Sequence, residues 1–242
     1  MKKIIITFIA IAFVADGCGH TNNKNVTQNN DNDWKPFGYE IDGDTEEVIS
    51  ADDDTVNETG YQDKFVKTIG AYDFTELGLA IYEDDLNTAK KLIEAGASKS
   101  SCLSDEIFVY DVLYTSVMFG KIKFVEYFIN SEEGVNKVYD ENGTTVLTLA
   151  CKSDEPEISF RISQLLLDAG ADVNGGGDMG FDYIFYPLFE AVKKNNLRLV
   201  KFLVEKGADI TVVDKQGATV FTIIDGLGVN SEMKNYIGQL YK

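Results

Sequence analysis

His20 is the only histidine in the sequence, and it stands two residues after Cys18, close to the amino terminus. A serine or cysteine nucleophile needs a base beside it, so no Ser-His-acid or Cys-His arrangement can be built on the rest of the chain. Cys102 and Cys151 stand alone, without the clustered His/Cys spacing that zinc requires. No phosphate-binding glycine loop is present. "IDGDTEE" (41–47) hints at calcium, but the sixth position of a loop starting at Asp42 is Glu47, where an EF-hand needs glycine. "NGGGDMGFD" (174–182) occurs once, which rules out a calcium β-roll. Carboxylates remain, such as Asp84–Asp85 and Glu132–Glu133, and in so acidic a chain they read as solvated faces. The expectation is no catalytic residue, no cofactor, no metal and no enzyme.

The elements that would position a site repeat. "KLIEAGASKS" (91–100), "LLLDAGADVN" (165–174) and "FLVEKGADIT" (202–211) are variants of one phrase, and "FVEYFINSEEGVN" (124–136) fills the gap between the first two. A second phrase precedes them: "TELGLA" (75–80), "TVLTLA" (145–150), "YPLFEA" (186–191) and "TVFTII" (219–224). Thr at the head of such a phrase is a good helix N-cap, and Pro187 suits a first helical turn. Apolar residues then recur at helical spacing, as in Leu147, Ala150 and Cys151, and again in Leu199, Phe202 and Leu203. Gly96, Gly170 and Gly207 end the second helix of their units, where a left-handed residue is needed. Each unit therefore reads as helix, turn, helix, tight loop.

Several such motifs in phase resemble the ankyrin repeat, which writes T-P-L-H-x-A on its inner helix and L-L-L-x-x-G-A-D-V-N at the end of its outer one. The resemblance implies an all-α solenoid of about five helix-turn-helix repeats, at roughly 71–103, 104–138, 139–175, 183–211 and 214–242. There are departures. The Asp-x-x-Gly turn is absent ahead of repeats 2 and 4, and "DVLYTS" (111–116) replaces the inner-helix signature in repeat 2. The family's inner-helix histidine is replaced by Gly78, Tyr114, Thr148, Phe189 and Thr222. "SDEPEISFRI" (153–162) is expected to lengthen the connection between the two helices of repeat 3. Solenoid ends need a cover. Tyr61, Phe65, Val66 and Ile69 fall on one side of a helix, so an N-terminal capping helix is expected, opening a repeat domain over 61–242.

Ahead of that domain, Lys2 and Lys3, an apolar run from Ile4 to Val14 and the small residues before Cys18 read as a signal peptide over 1–17. The run is too short to span a bilayer as a mature helix. A cysteine after such a segment resembles the lipidation site of bacterial lipoproteins, although Ala15 and Asp16 stand where that box prefers other residues. Lipidation at Cys18 is the expectation, with plain secretion or an uncleaved anchor as the alternatives. Residues 18–60 read as a disordered acidic tether: 19–60 hold eleven acids against Lys24 and Lys35. One apolar island, "WKPFGYEI" (34–41), could dock onto the repeats or onto a partner.

The formal charge of −18 repels nucleic-acid backbones and anionic lipid heads. It suits solubility or a basic protein partner; membrane contact is expected only through Cys18. A Cys102–Cys151 bridge is conceivable in an oxidising compartment, but stacked helices about 8–10 Å apart place the two thiols too far from each other. Partner binding by such stacks uses the concave side of inner helices and loop tips, as the resemblance implies. Two irregular tips carry aromatics suited to contact: Phe108 and Tyr110 in "SDEIFVYD" (104–111), and Phe181, Tyr183 and Phe185 in "GGGDMGFDYIFY" (175–186). The alternative is that these rings pack on neighbouring repeats. The expected protein is a monomeric, non-enzymatic interaction scaffold of the bacterial envelope, a periplasmic or cell-surface lipoprotein or else secreted. The second expectation is an acidic inhibitor or immunity-type protein that blocks a basic enzyme or toxin.

Overall fold

The structure, a computed structural model, describes residues 60–105, 107–130, 134–140, 142–175, 186–214 and 217–241, with only the backbone at Leu227. All of them lie in the unit Trp34–Lys242. Five helix pairs follow one another: α1 (Glu76–Tyr82) with α2 (Leu86–Ala95), α3 (Val112–Met118) with α4 (Ile122–Phe128), α5 (Val146–Cys151) with α6 (Pro156–Asp168), α7 (Pro187–Lys193) with α8 (Leu197–Glu205), and α9 (Val220–Leu227) with α10 (Ser231–Leu240). The odd-numbered inner helices pack in succession from α1 to α9, and the outer helices α4, α6 and α8 pack beside them.

Local chemistry sets each boundary. Thr75, Asp111, Thr145 and Thr219 are N-caps whose side chains accept from the N–H of Gly78, Tyr114, Thr148 and Thr222. Thr219 and Thr222 form a reciprocal capping box. Pro187 opens α7 at its first turn, where a missing N–H costs nothing. Left-handed glycines follow three outer helices, with φ of 106° at Gly96, 89° at Gly170 and 95° at Gly207. Between the helices of repeats 1, 2 and 4 the same left-handed geometry falls on Asp84, Gly120 and Asn195. The core runs between the layers: Leu77, Leu113, Leu147, Leu188 and Val220 come from inner helices, and Phe124, Ile162, Leu166, Leu199, Leu203, Met233 and Ile237 from outer ones. Burying one such side chain stabilises by about 1.5–3 kcal/mol, so each repeat depends on its neighbours for most of its stability.

Two expectations are corrected. The N-terminal cap is a strand, not a helix: β1 (Phe65–Ile69) turns through Gly70 (φ 61°) and Ala71 and returns as β2 (Tyr72–Thr75). β2 pairs with β3 (Leu103–Ser104), which pairs with β4 (Val109–Tyr110), giving one antiparallel sheet in the order β1-β2-β3-β4. The all-α solenoid therefore carries a small sheet at its N-terminal end. The residues "FVKTI" of β1 include β-branched Val66, Thr68 and Ile69, which suit a pleated surface better than a helix. In repeat 3, the extra stretch lengthens the outer helix and leaves the connection short. Pro156 starts α6 early, and the helix runs for 13 residues. Ser159 and Ser163 of α6 are buried against α5, Ser159 donating to the Ala150 carbonyl at 2.9 Å.

Candidate partner-binding site

The loop between repeats 1 and 2 is a finger made of β3, β4 and the tip between them. Its pairing sets Leu103 against Tyr110 and Ser104 against Val109. Asp105 holds the tip: its Oδ1 accepts from the N–H groups of Ile107 (2.8 Å) and Phe108 (2.6 Å), and its Oδ2 accepts from the Tyr110 hydroxyl at 2.7 Å. Ser104 Oγ lies 2.8 Å from the Asp105 carbonyl and 3.1 Å from that of Phe108. These bonds satisfy backbone groups that water would otherwise hold, so the tip presents a defined shape.

Exposure differs along the tip and β4. Ile107 is 79% exposed and Val109 53% exposed. The Phe108 and Tyr110 rings lie 6.4 Å apart, centroid to centroid. Phe108 remains 36% exposed, but Tyr110 is buried. The expectation that Tyr110 is exposed is thus corrected: its ring stacks on Tyr114 at 4.2 Å and 12°, and its hydroxyl is turned back to Asp105. Burial, then Tyr114 and Asp105, push the Tyr110 phenol well above its ordinary value, so it stays neutral. Neither Ile107 nor Val109 is marked by the sequence, where the contact signal of this tip lies in its aromatic residues.

Behind the finger the ring row continues into the next repeat. Tyr114 lies 4.6 Å from Tyr139, ring to ring. The Tyr139 hydroxyl donates to Asp111 Oδ2 at 2.8 Å, and Lys137 Nζ reaches the same oxygen at 3.1 Å while lying over the Tyr139 ring. Asp111 is 1% exposed, and its Oδ1 accepts from Tyr114 N–H at 2.9 Å. A buried carboxylate is tolerable only when paired and hydrogen-bonded, and this one is both. Tyr114, where the family's inner-helix histidine would stand, joins the Tyr110 and Tyr139 rings.

Basic residues of repeat 4 are engaged with acids of repeat 3. Arg198 Nη1 meets both Glu157 oxygens at 2.6 Å and its guanidinium lies 3.8 Å over Phe160. Lys206 pairs with Asp168 at 3.2 Å, and Lys194 with Asp154 at 2.5 Å. Exposed pairs of this kind stabilise by about 0–1 kcal/mol each; their larger consequence is that this surface offers mixed charge and few bare apolar groups.

Cys18, Phe181, Tyr183 and Phe185 lie outside the described residues. Among the described residues no group of three or more His, Cys, Asp or Glu could hold a metal, and no helix is long and apolar enough to cross a membrane. Cys102 and Cys151 are separate, buried thiols.

Comparison with known sequences agrees with this architecture. A family profile described as "Ankyrin repeats (3 copies)" matches residues 77–177 and again 113–214. The chain is similar to human Ankyrin repeat and SOCS box protein 6, 32% identical over 151 residues, which is 62% of this chain and 33% of that protein. Its orang-utan (Pongo abelii) counterpart is 31% identical over 151 residues, again 62% of this chain and 33% of its own. Putative ankyrin repeat protein L371 of Acanthamoeba polyphaga mimivirus is 31% identical over 110 residues, 46% of this chain and 13% of that one. The chain thus spans about a third of the length of the first two relatives. With capped helix pairs stacked in register, glycine-terminated outer helices and a profile match over most of the array, the chain belongs to the ankyrin-repeat family.

Proposed function

We propose that this chain is a non-enzymatic protein-interaction scaffold that engages its partner through the finger between repeats 1 and 2. Repeats of this family are protein-interaction modules. The observation that carries the reading is the contiguous exposed run Ile107–Phe108–Val109, held rigid by Asp105 and backed by the row of rings from Tyr110 to Tyr139. Three adjacent apolar side chains on a hydrogen-bonded tip lose little entropy on docking, which is what a contact hot spot requires. The tip at 175–186, with Phe181, Tyr183 and Phe185, is proposed as a second contact.

Export is part of the proposal. Lys2, Lys3, the apolar run Ile4–Val14 and the small residues ahead of Cys18 support a cleaved signal and a lipid on Cys18, placing the scaffold on an envelope surface. Labelled palmitate incorporated by the wild type and lost in Cys18→Ser tests this half; absence of label in both ends it. The acidic charge of −18 supports a second reading, an inhibitor that covers a basic active site. The binding half is tested by placing a photo-crosslinking residue at 107 in the native cell, with position 164 on the outer face as control. A partner captured at 107 alone, and released by Ile107→Ser with Val109→Ser at unchanged melting temperature, supports the finger. Equal capture at both positions, or capture indifferent to the double substitution, refutes it.

A further inference from the structure

We infer that the partner of the finger also crosses the outer face of the four-stranded sheet and brings a lysine or arginine side chain to Asp73. The inference rests on the finger as the contact site and names the chemistry of what it contacts. Residues directly opposite one another in an antiparallel pair project their side chains from the same face of the sheet. β2 and β3 set Phe74 against Leu103 and Asp73 against Ser104. β3 and β4 set Leu103 against Tyr110 and Ser104 against Val109. Two rows therefore cross these strands, Phe74–Leu103–Tyr110 and Asp73–Ser104–Val109. Thr68 of β1 lies opposite Asp73 and extends the second row.

Burial decides which row faces out. Phe74, Leu103 and Tyr110 are all buried, so their row belongs to the core. Successive residues of a strand alternate between faces, so Thr68, Asp73, Ser104 and Val109 share the opposite face. None of these four is buried. The Thr68 hydroxyl donates to Asp73 Oδ1 at 2.7 Å, which confirms that these two side chains lie together. Val109 is at once the end of this row and an exposed apolar residue of the finger. The contact surface thus continues from the tip, past Ser104, to a carboxylate.

Asp73 sets the charge of the partner. Asp105 and Asp111, which flank the finger strands, are taken up by backbone N–H groups, tyrosine hydroxyls and Lys137. Asp73 differs: among the described residues no lysine or arginine forms an ion pair with it, and Thr68 holds one of its oxygens in place. A positioned carboxylate at the border of an apolar contact selects a cation and rejects an acid. The formal charge of −18 favours approach of the same kind of group. Strands lie about 4.8 Å apart, so two strand spacings separate Asp73 from Val109 by roughly 10 Å. The partner is therefore a protein segment that offers apolar contact to Ile107 and Val109 and carries a lysine or arginine about 10 Å away.

A phage-displayed random peptide library, panned on the immobilised full-length chain, tests this. Peptides held by the wild type are expected to combine apolar residues with Lys and Arg, the latter enriched about two- to fivefold, the range an exposed ion pair supplies. Asp73→Lys should turn that preference to Asp and Glu while the apolar residues stay. Asp73→Asn keeps an acceptor for Thr68 and should abolish the basic preference without reversing it. Glu157→Lys, on α6, makes the same change of net charge as Asp73→Lys and should leave the wild-type preference intact. No basic preference in the wild type, or one that survives both substitutions of Asp73, overturns the inference. A preference lost equally on Glu157→Lys overturns it too, because that marks bulk charge alone. In each of those cases the finger still stands if the apolar selection is lost on Ile107→Ser with Val109→Ser. Recovery indifferent to that double substitution ends both readings.

Discussion

Asn136 of repeat 2 grips the end of repeat 3: its Oδ1 accepts from the Asp172 N–H at 2.7 Å and its Nδ2 donates to the Gly170 carbonyl at 3.0 Å. Asn174 repeats the first bond one unit later, accepting from the Asp209 N–H at 2.8 Å. The terminal Asn of the repeated phrase is thus a clasp between units. Each net hydrogen bond is worth about 0.5–1.5 kcal/mol. Asn136→Ala, which loses two bonds, is expected to cost about 1–2 kcal/mol in urea unfolding, and Asn174→Ala about 1 kcal/mol. The order of the two costs is the test; a larger loss for Asn174→Ala contradicts it.

Gly78 sits where the family carries its histidine, and the reason is steric. A Cβ built there would lie 1.8 Å from the Cys102 carbonyl oxygen, a backbone atom that cannot move without shifting β3. Gly78→Ala is expected to destabilise by about 1–3 kcal/mol, the usual cost of overpacking. Gly238 in α10 is the contrast, because a Cβ there meets nothing within 4 Å. Gly238→Ala should stabilise by about 0.5–1 kcal/mol through helix propensity alone. Thermal melts of the two variants should move in opposite directions.

The helix pairs were legible because capping residues and apolar spacing near 3.6 coincide, joined after α2, α6 and α8 by a terminal glycine. Gly96, Gly170 and Gly207 all adopt the left-handed geometry their position implied. The cap is a strand and not the expected helix because Tyr61, Phe65, Val66 and Ile69 fit helical spacing only in a short window, where both periods can be satisfied. Gly70 carries the contrary signal: it opens a two-residue hairpin turn, and Ile69 pairs with Tyr72 across it. The sequence marks 104–111 as an irregular tip with Phe108 and Tyr110, but not that Tyr110 is buried, since that is settled by tertiary pairing. Asp111 could not be seen as a hub from sequence at all. Its partners Lys137 and Tyr139 lie 26 and 28 residues away, and only stacking brings them to it.

Asp111 should therefore be a costly residue to lose. Asp111→Ala removes the α3 N-cap and leaves the Lys137 ammonium and Tyr139 hydroxyl without this acceptor. A cap contributes about 1 kcal/mol, and a hydrogen bond to a charged group about 1.5–3 kcal/mol. The expected loss is about 2–4 kcal/mol. Asp111→Asn keeps an oxygen for capping and should recover about 1 kcal/mol of that. Equal destabilisation by both substitutions would show that the cap contributes nothing.

The two core thiols give a pH dependence with a definite sign. Burial pushes the Cys151 thiol up to about 12, with Ser163 opposing and Glu190 adding to the shift, and burial raises Cys102 in the same direction. An unfolded cysteine ionises near about 8.5. Below that pH both states hold the proton and stability is intact. Above it the unfolded chain ionises while the folded one does not, so stability falls by about 1 kcal/mol per pH unit for each thiol until the folded value is reached. Urea midpoints measured from pH 7.5 to 9.5 should decline in the wild type and decline less in Cys151→Ala, which removes one titrating group. The thiolate is the reactive form, and burial keeps both the proton on and reagent out. Alkylation of Cys102 and Cys151 by iodoacetamide, read peptide by peptide, should therefore track unfolding in urea. Rapid alkylation of either residue in the native protein would show that its side chain reaches solvent without unfolding.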